Sequence, residues 1–255
     1  MTVTSQTGAP AATSAIDLDR IAVTLRSAVE ALRKGLPVLV ADDEGRENEG
    51  DAIISAAMAT PEWIGWMIRH TSGYLCAPMT EELADRLDLP PMVAHNQDPK
   101  RTAYTVTVDA AEGVTTGISA TDRCRTLNVL ADPASTADSV LRPGHIVPLR
   151  ARDGGVLVRG GHTESGVDLM HLAGLPAVAA IGEMVHDDGE MMRFPDLVLI
   201  GAEYGLPVLT VAQIAAWRRA HPENAPMSGL AAPGATPSIA DQQNMIQHER
   251  EQVQA

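Results

Sequence analysis

Residues 42–51 read DDEGRENEGD, which places six carboxylates (Asp42, Asp43, Glu44, Glu47, Glu49 and Asp51) in ten positions with Arg46 as the only cation among them. Residues 36–41, LPVLVA, precede this stretch and residues 52–57, AIISAA, follow it; both are apolar and strand-like. The pattern predicts a strand, a tight acidic loop, and a second strand carrying the chain away. Six like charges this close repel one another strongly unless something positive stands between them. Two readings satisfy that requirement. The loop is a solvated hairpin whose charges face water, or it holds a divalent, oxygen-seeking cation such as Mg²⁺ through one or two carboxylates and several waters. Histidines and phosphate-type turns at other strand ends favour the second.

The totals narrow the choice of class. A chain of 255 residues makes one large domain or two small ones, and 45% hydrophobic residues suffice for a sizeable core. Aromatics are only 3%, so that core is built from Ala, Val, Leu, Ile and Met. A formal charge of -14 argues against non-specific binding to nucleic acid or an anionic membrane, both of which need a cationic face. An anionic substrate must then be met locally, by Arg, backbone N–H groups or metal. Two cysteines, Cys76 and Cys124, exclude a disulfide framework and a Cys-rich zinc site, and suit a reducing cytosol. The N-terminus lacks the basic start and apolar segment of a signal peptide. No apolar run approaches the roughly 18 residues of a membrane span. A cytoplasmic protein is expected.

Residues 1–14 are mostly Thr, Ser, Ala, Gly and Pro and are expected to be disordered. Ser14 to Asp17 fits a capping box, and a helix follows with Ile21, Leu25, Ala28, Val29 and Leu32 at helical spacing until Gly35. After strand 52–57, Thr60-Pro61-Glu62 predicts a helix start, with the helix running to about His70. TSGYLCAPM is read as a turn and a strand ending near Cys76, residues 81–87 as a short helix, and TVTVDA as an alternating strand. His145 is expected to open the strand HIVPLRA, and residues 155–159 to form another. A helix after His162 ends at Gly174, with Ser165 to Asp168 as a capping spacing. LPAVAAIGEM is a buried strand with Glu183 at its end. A helix over 195–204, stopped by Gly205, the strand PVLTV and a last helix AQIAAWRRA complete the domain, 15–220. Residues 221–255 are read as a flexible tail, with a polar helix open to residues 238–254. No internal repeat is visible. The alternation of helix and strand is irregular, which points to an α+β single domain with a mixed sheet flanked by helices.

Three further positions carry chemistry. GVTTGISATD, residues 113–122, combines glycines with Thr115, Thr116, Ser119 and Thr121; it is either a hydroxyl-rich capped turn or a phosphate cradle built on a helix start. Gly160-Gly161 between strand and helix let the backbone approach a ligand, with His162 at the mouth. His162 is a satisfied turn residue or, beside the carboxylate loop, a neutral imidazole ligand. Glu183, after an unbroken apolar run, is a strand-edge charge or a catalytic carboxylate.

Taken together, DDEGRENEGD, TSGYLC, AEGVTTGISATDR, RPGHIVPLRA and RGGHTESGVDLM resemble the 3,4-dihydroxy-2-butanone 4-phosphate synthase family across residues 17–220. The resemblance implies conversion of D-ribulose 5-phosphate to L-3,4-dihydroxybutan-2-one 4-phosphate and formate, in riboflavin biosynthesis. It implies a homodimer with two Mg²⁺ per site, replaceable by Mn²⁺. Carried over by motif, Glu47 would bind both ions and His162 one of them. Arg46, Glu47, Asp51, Arg159, Gly160, Gly161, His162, Thr163 and Glu183 would hold the substrate. Thr116 would lie near its phosphate, and His145, Glu183 and Cys76 stand at essential or site positions. Lys100-Arg101, Cys124 and Gly182 depart from the family pattern, none of them at a position implied to be metal-binding or catalytic. Some members continue into a GTP cyclohydrolase II domain with a three-cysteine zinc site. No cysteine follows Cys124, so a single activity is expected.

Overall fold

The computed structural model describes residues 15–223 and residue 227. The N-terminal segment 1–14, the capping serine Ser14 and nearly all of the tail, including the polar helix over 238–254, lie outside the described residues. Among these residues the strands are β1 (Val38–Ala41), β2 (Gly50–Ser55), β3 (Cys76–Met79), β4 (Val108–Ala110), β5 (Val140–Arg150), β6 (Ala179–Glu183) and β7 (Val208–Thr210). The α-helices are α1 (Ala15–Arg33), α2 (Pro61–His70), α3 (Glu81–Arg86), α4 (Ala120–Ala131), α5 (His162–Ala173), α6 (Phe194–Tyr204) and α7 (Val211–Ala220). The strands form one sheet in the order β4-β5-β3-β6-β2-β1-β7. It is mixed: β1 runs parallel to β7 and β3 to β5, and the β1/β2, β2/β6, β3/β6 and β4/β5 pairs are antiparallel. The α+β class expected from the sequence is the one observed.

Alternation of side chains along each strand sorts the core into two layers. Leu39, Ala52, Ile54, Ala77 and Ala180 point to one face and pack with Trp66 and Met67 of α2, Leu127 of α4 and Leu197 of α6. Val40, Ile53, Cys76, Ile181 and Leu209 point to the other, against Leu25 and Leu32 of α1, Leu169 and Met170 of α5, and Ile214 of α7. Each fully buried Leu or Ile contributes about 1.5–3 kcal/mol of transfer free energy. By the same parity, Asp51 on β2 and Glu183 on β6, which are direct cross-strand partners, share the face covered by α5. The helix starts follow local chemistry: Thr60, Thr80, Ser119 and Thr210 each accept a backbone N–H in the first turn of their helices. Gly35, Gly174 and Gly205 end helices or their turns at positive φ.

Five local expectations are corrected. β3 begins rather than ends at Cys76. Only Val108–Ala110 of TVTVDA is strand, because the ladder to β5 breaks there: Val108 pairs with Ile146 while Asp109 pairs with Leu141. His145 therefore lies inside β5, in a bulge over residues 142–145 that the Pro-Gly pair disguised as a turn. Residues 155–159 are not a strand. Gly155–Leu157 forms a 3₁₀ turn entered through Gly154 and Gly155 at positive φ. Ser165 does not cap α5; it lies one turn inside the helix and its hydroxyl donates to Gly161 O at 2.9 Å, Gly161 being the cap position.

Candidate metal and substrate site

Asp42, the residue after β1, organises the acidic loop. One oxygen of its buried carboxylate accepts the Glu49 N–H at 2.8 Å; the other takes the Glu47 N–H at 3.3 Å and the Arg46 guanidinium at 2.9 Å. Asn48 adopts a left-handed φ of 56°, a conformation Asn tolerates, and completes the reversal. The charge repulsion foreseen for the loop is answered in part from within, since Arg46 bridges Asp42 and Glu47. Burial opposes the Arg46 charge, but these carboxylates outweigh it and hold its pKa above the ordinary value. Arg193 at the start of α6 donates to the Glu47 carbonyl at 3.2 Å and also binds the Asn48 carbonyl.

His162 opens α5 beneath this loop. Its Nε2 donates to the Val40 carbonyl at 3.0 Å, and its Nδ1 stands 3.3 Å from Asp51 Oδ1. Burial drives its pKa down to about 4, so the ring is neutral at physiological pH, the form that ligates metal. Ligand atoms of Asp42, Glu47 and His162 lie within 4.8 Å of one another. Beside them Asp51 is 2% exposed, and its Oδ1 is buried without a hydrogen bond. Burial first, then Glu183, Glu49, Glu47 and Asp42, push its pKa well above the carboxylate range. A buried, under-satisfied carboxylate among four other acids marks a place for positive charge. The all-oxygen and imidazole donor set fits a hard divalent cation.

Glu183 and Cys76 border this cluster. Ser72 holds Glu183 twice, its hydroxyl to Oε2 and its N–H to the carbonyl, both at 2.7 Å. Cys76 pairs with Ile181 across the β3/β6 ladder. Burial, then Glu183 and Asp51, raise its thiol pKa well above the ordinary value, so it is a thiol rather than a thiolate at neutral pH. From the other side comes Arg159, bound to Glu164 Oε2 at 2.7 Å, Thr102 Oγ1 at 3.2 Å and the Lys100 carbonyl at 3.2 Å. A Cβ on Gly161 would stand 2.6 Å from Arg159 Nη1 and 2.8 Å from Arg46 Nη2, so the missing side chain lets two guanidinium groups converge. Gly160 is exposed and Thr163 buried in the same turn. Lys100 donates to the Arg46 carbonyl at 2.7 Å, so a departure from the family pattern does touch the site loop. Gly182 is explained by Thr71, whose Oγ1 would lie 2.9 Å from an added Cβ.

His145 and Thr116 form a second group. The β5 bulge turns His145 onto Asp109, with Nδ1 2.8 Å from Oδ2 and the backbone N–H 2.9 Å from Oδ1. Gly117 lies directly over this pair, at φ +84°. Thr116 is exposed beside it, but the neighbouring N–H groups of Thr115 and Gly117 are taken by Asp122, which limits the loop as a phosphate cradle. Sequence reasoning did not single out Asp109, Ser72, Thr102, Glu164 or Arg193. Asp109 continues the polar positions of TVTVDA after Thr105 and Thr107, so nothing local marks it. The others carry no local signal either, because their partners are distant in sequence.

An α+β sheet that gathers Asp, Glu and a neutral His at one end, flanked by two arginines, defines a protein that can hold a divalent cation beside an anionic ligand. The chain belongs to the 3,4-dihydroxy-2-butanone 4-phosphate synthase family, whose model matches residues 26–217. It is 56% identical over 196 residues to the riboflavin biosynthesis protein RibBA of Salinispora arenicola, covering 77% of this chain and 47% of that protein. It is 53% identical over 200 residues to RibBA of Mycobacterium tuberculosis, covering 78% and 47%. The chain thus spans about half the length of the curated relatives it matches. Its fold is similar to a crystal structure of 3,4-dihydroxy-2-butanone 4-phosphate synthase in complex with two magnesium ions, with a TM-score of 0.75, 44% identity, and 77% and 97% of the two chains covered. The Candida albicans synthase is similar at a TM-score of 0.70 and 46% identity over 74% and 94%.

Proposed function

We propose that residues 15–220 form a lyase domain that converts D-ribulose 5-phosphate to L-3,4-dihydroxybutan-2-one 4-phosphate and formate in riboflavin biosynthesis, acting in the cytoplasm as a homodimer. The observation that carries the reading is the convergence of Asp42, Glu47 and His162 ligand atoms within 4.8 Å beside the unsatisfied Asp51 oxygen. The ketose phosphate must lose a proton next to its carbonyl, lose a hydroxyl as water, rearrange its skeleton, take up a water again and release one carbon as formate. Early steps build negative charge on oxygen. Glu47 and His162, with Asp42, would hold Mg²⁺ ions (Mn²⁺ as substitute), which when bound polarise carbonyl and hydroxyl oxygens and stabilise that charge. Arg46 and Arg159 orient the anionic substrate against Gly160-Gly161. Asp51 receives a substrate hydroxyl, and Thr163 and Thr116 add hydroxyl contacts. Glu183, kept in orientation by Ser72, and His145, kept in orientation by Asp109, exchange protons with the substrate. Cys76 contributes packing and a weak S–H donor at the site floor.

A binding module that kept the site and lost the reaction would need neither His145 nor Glu183, and an acidic scaffold would gain nothing from metal. One measurement separates these classes: formate release from ribulose 5-phosphate with Mg²⁺, with and without chelator, alongside the melting temperature. The expected result is formate that disappears on chelation. Glu47→Gln, at a half-exposed position, is expected to lower turnover about 100-fold or more while its stability changes by less than about 1 kcal/mol. A folded Glu47→Gln protein with normal turnover would exclude the metal assignment.

A further inference from the structure

We propose that Glu164 and Asp168, one turn apart on α5, are positioning residues that clamp residues 152–159 to the helix and thereby set Arg159 at the site. The proposal rests on the reading above for what Arg159 binds, but not for the clamp itself. Residues 152–159 leave the sheet, so their N–H groups need other partners. Two of them go to α5: Arg152 N–H to Glu164 Oε1 at 3.1 Å and Val156 N–H to Asp168 Oδ2 at 2.9 Å. The i, i+4 spacing puts both carboxylates on one face of the helix. Each is almost fully buried, at 1% and 2% exposure, where an unpaired carboxylate is strongly disfavoured. Both are paired at both oxygens. Glu164 Oε2 takes Arg159 Nη1 at 2.7 Å, and Asp168 Oδ1 takes the buried Arg218 of α7.

The backbone is shaped to the same end. Gly155 has φ +62°, and a Cβ there would sit 2.3 Å from Asp168 Oδ1, so the turn lies directly on the carboxylate. Glu164 is in the first turn of the helix that begins with His162, where a negative charge is favoured by the helix dipole. One rigid element therefore carries both the cluster imidazole and the anchor of the arginine. Thr102 and Lys100 hold Arg159 from the solvent side, but through weaker, longer contacts at 3.2 Å. The charge-assisted Glu164 contact is the one that decides where the guanidinium stands.

The test is a double-mutant cycle on the full chain with Mg²⁺: wild type, Glu164→Gln, Arg159→Ala and the double variant, with kcat and KM for ribulose 5-phosphate and melting temperature for each. Glu164→Gln is expected to raise KM about ten-fold with kcat within about two-fold, and to change KM no further in the Arg159→Ala background. A folded Glu164→Gln protein with wild-type KM, or an undiminished effect in the Arg159→Ala background, would overturn the clamp. Should Glu164→Gln not fold, Asp168→Asn is read by the same cycle, with KM expected to rise about three-fold and an unchanged KM counting against it. Labelling of Arg159 by phenylglyoxal, followed by peptide mass spectrometry, needs no turnover. It is expected to accelerate in Glu164→Gln or, where that variant does not fold, in Asp168→Asn, and an unchanged rate would sink the proposal. A wild type that releases no formate would refute the reaction while leaving the labelling test of the clamp in force.

Discussion

Tyr104 shows what the site does to a single side chain. Burial, then the neighbouring Cys76 and Glu183, push its phenol up to about 12. Tyr104 is thus a hydrogen-bond donor rather than a base at working pH. The folded pKa lies above the ordinary value of about 10, so the stability linked to the neutral ring is intact below that value and is lost as pH rises through about 12. A tyrosinate absorbance titration of the folded protein is expected to show one of its three tyrosines ionising near 12, with the melting temperature falling across the same window. Tyr104→Phe should remove that late step. A titration in which all three ionise together near 10 would contradict the burial argument. Half-exposure of the ring keeps its energetic share small.

At the scale of elements, the β4/β5 bulge and the 113–119 loop make one device. The broken ladder frees His145 to meet Asp109, and the loop can lie over the pair only because Gly117 has no Cβ; an added one would fall 2.0 Å from Asp109 Oδ2 and 2.6 Å from His145 Nδ1. Asp122 then ties the loop to the start of α4 through the Thr115 hydroxyl and the N–H groups of Thr115 and Gly117. His145→Ala is expected to lower kcat about 100-fold or more with substrate affinity retained. Gly117→Ala should reproduce much of that loss without replacing an ionisable group, by crowding the pair, and destabilise the fold by about 1–2 kcal/mol through its left-handed φ. Steady-state kinetics with isothermal calorimetry distinguish this from a binding defect: lost substrate affinity in His145→Ala would oppose the proton-transfer role.

For the whole molecule, the surface near the β4/β5 end of the sheet is the informative one. Leu141 is 57% exposed, Ile118 51% and Tyr74 48%, and Met92 and Val93 beside the Tyr104 backbone are exposed too. Helices cover both faces further along the sheet, but these apolar side chains have no such cover. A second copy of this chain would bury them beside the His145 group, which is the physical support for a homodimer. Each copy carries a charge of -14, so association opposes long-range repulsion and should tighten with salt. Sedimentation velocity is expected to give a dimer at micromolar concentration, and Leu141→Asp with Ile118→Asp a folded monomer. A wild-type monomer at all concentrations would rule the interface out.

What the chain states locally was readable from it: the acidic loop between two strands, the Thr60 and Ser119 caps, the glycine stops, and the α+β class all depend on neighbours within a few residues. The motifs also named the side chains from which the cluster is drawn. Three things had to wait for tertiary structure, because each is decided by groups far apart in sequence. Residues 155–159 look like a strand by composition, yet Asp168 of α5 captures the Val156 N–H and the segment folds into a turn. His145 looks like a strand start, yet the register slip against β4 makes it the last residue of a bulge. Among the acids of the loop, only the meeting of β1 with the start of α5 selects Asp42 to join Glu47 and His162 and leaves Asp43 in solvent. Periodicity reports which face a residue turns to; it carries no record of which distant donor will reach it there.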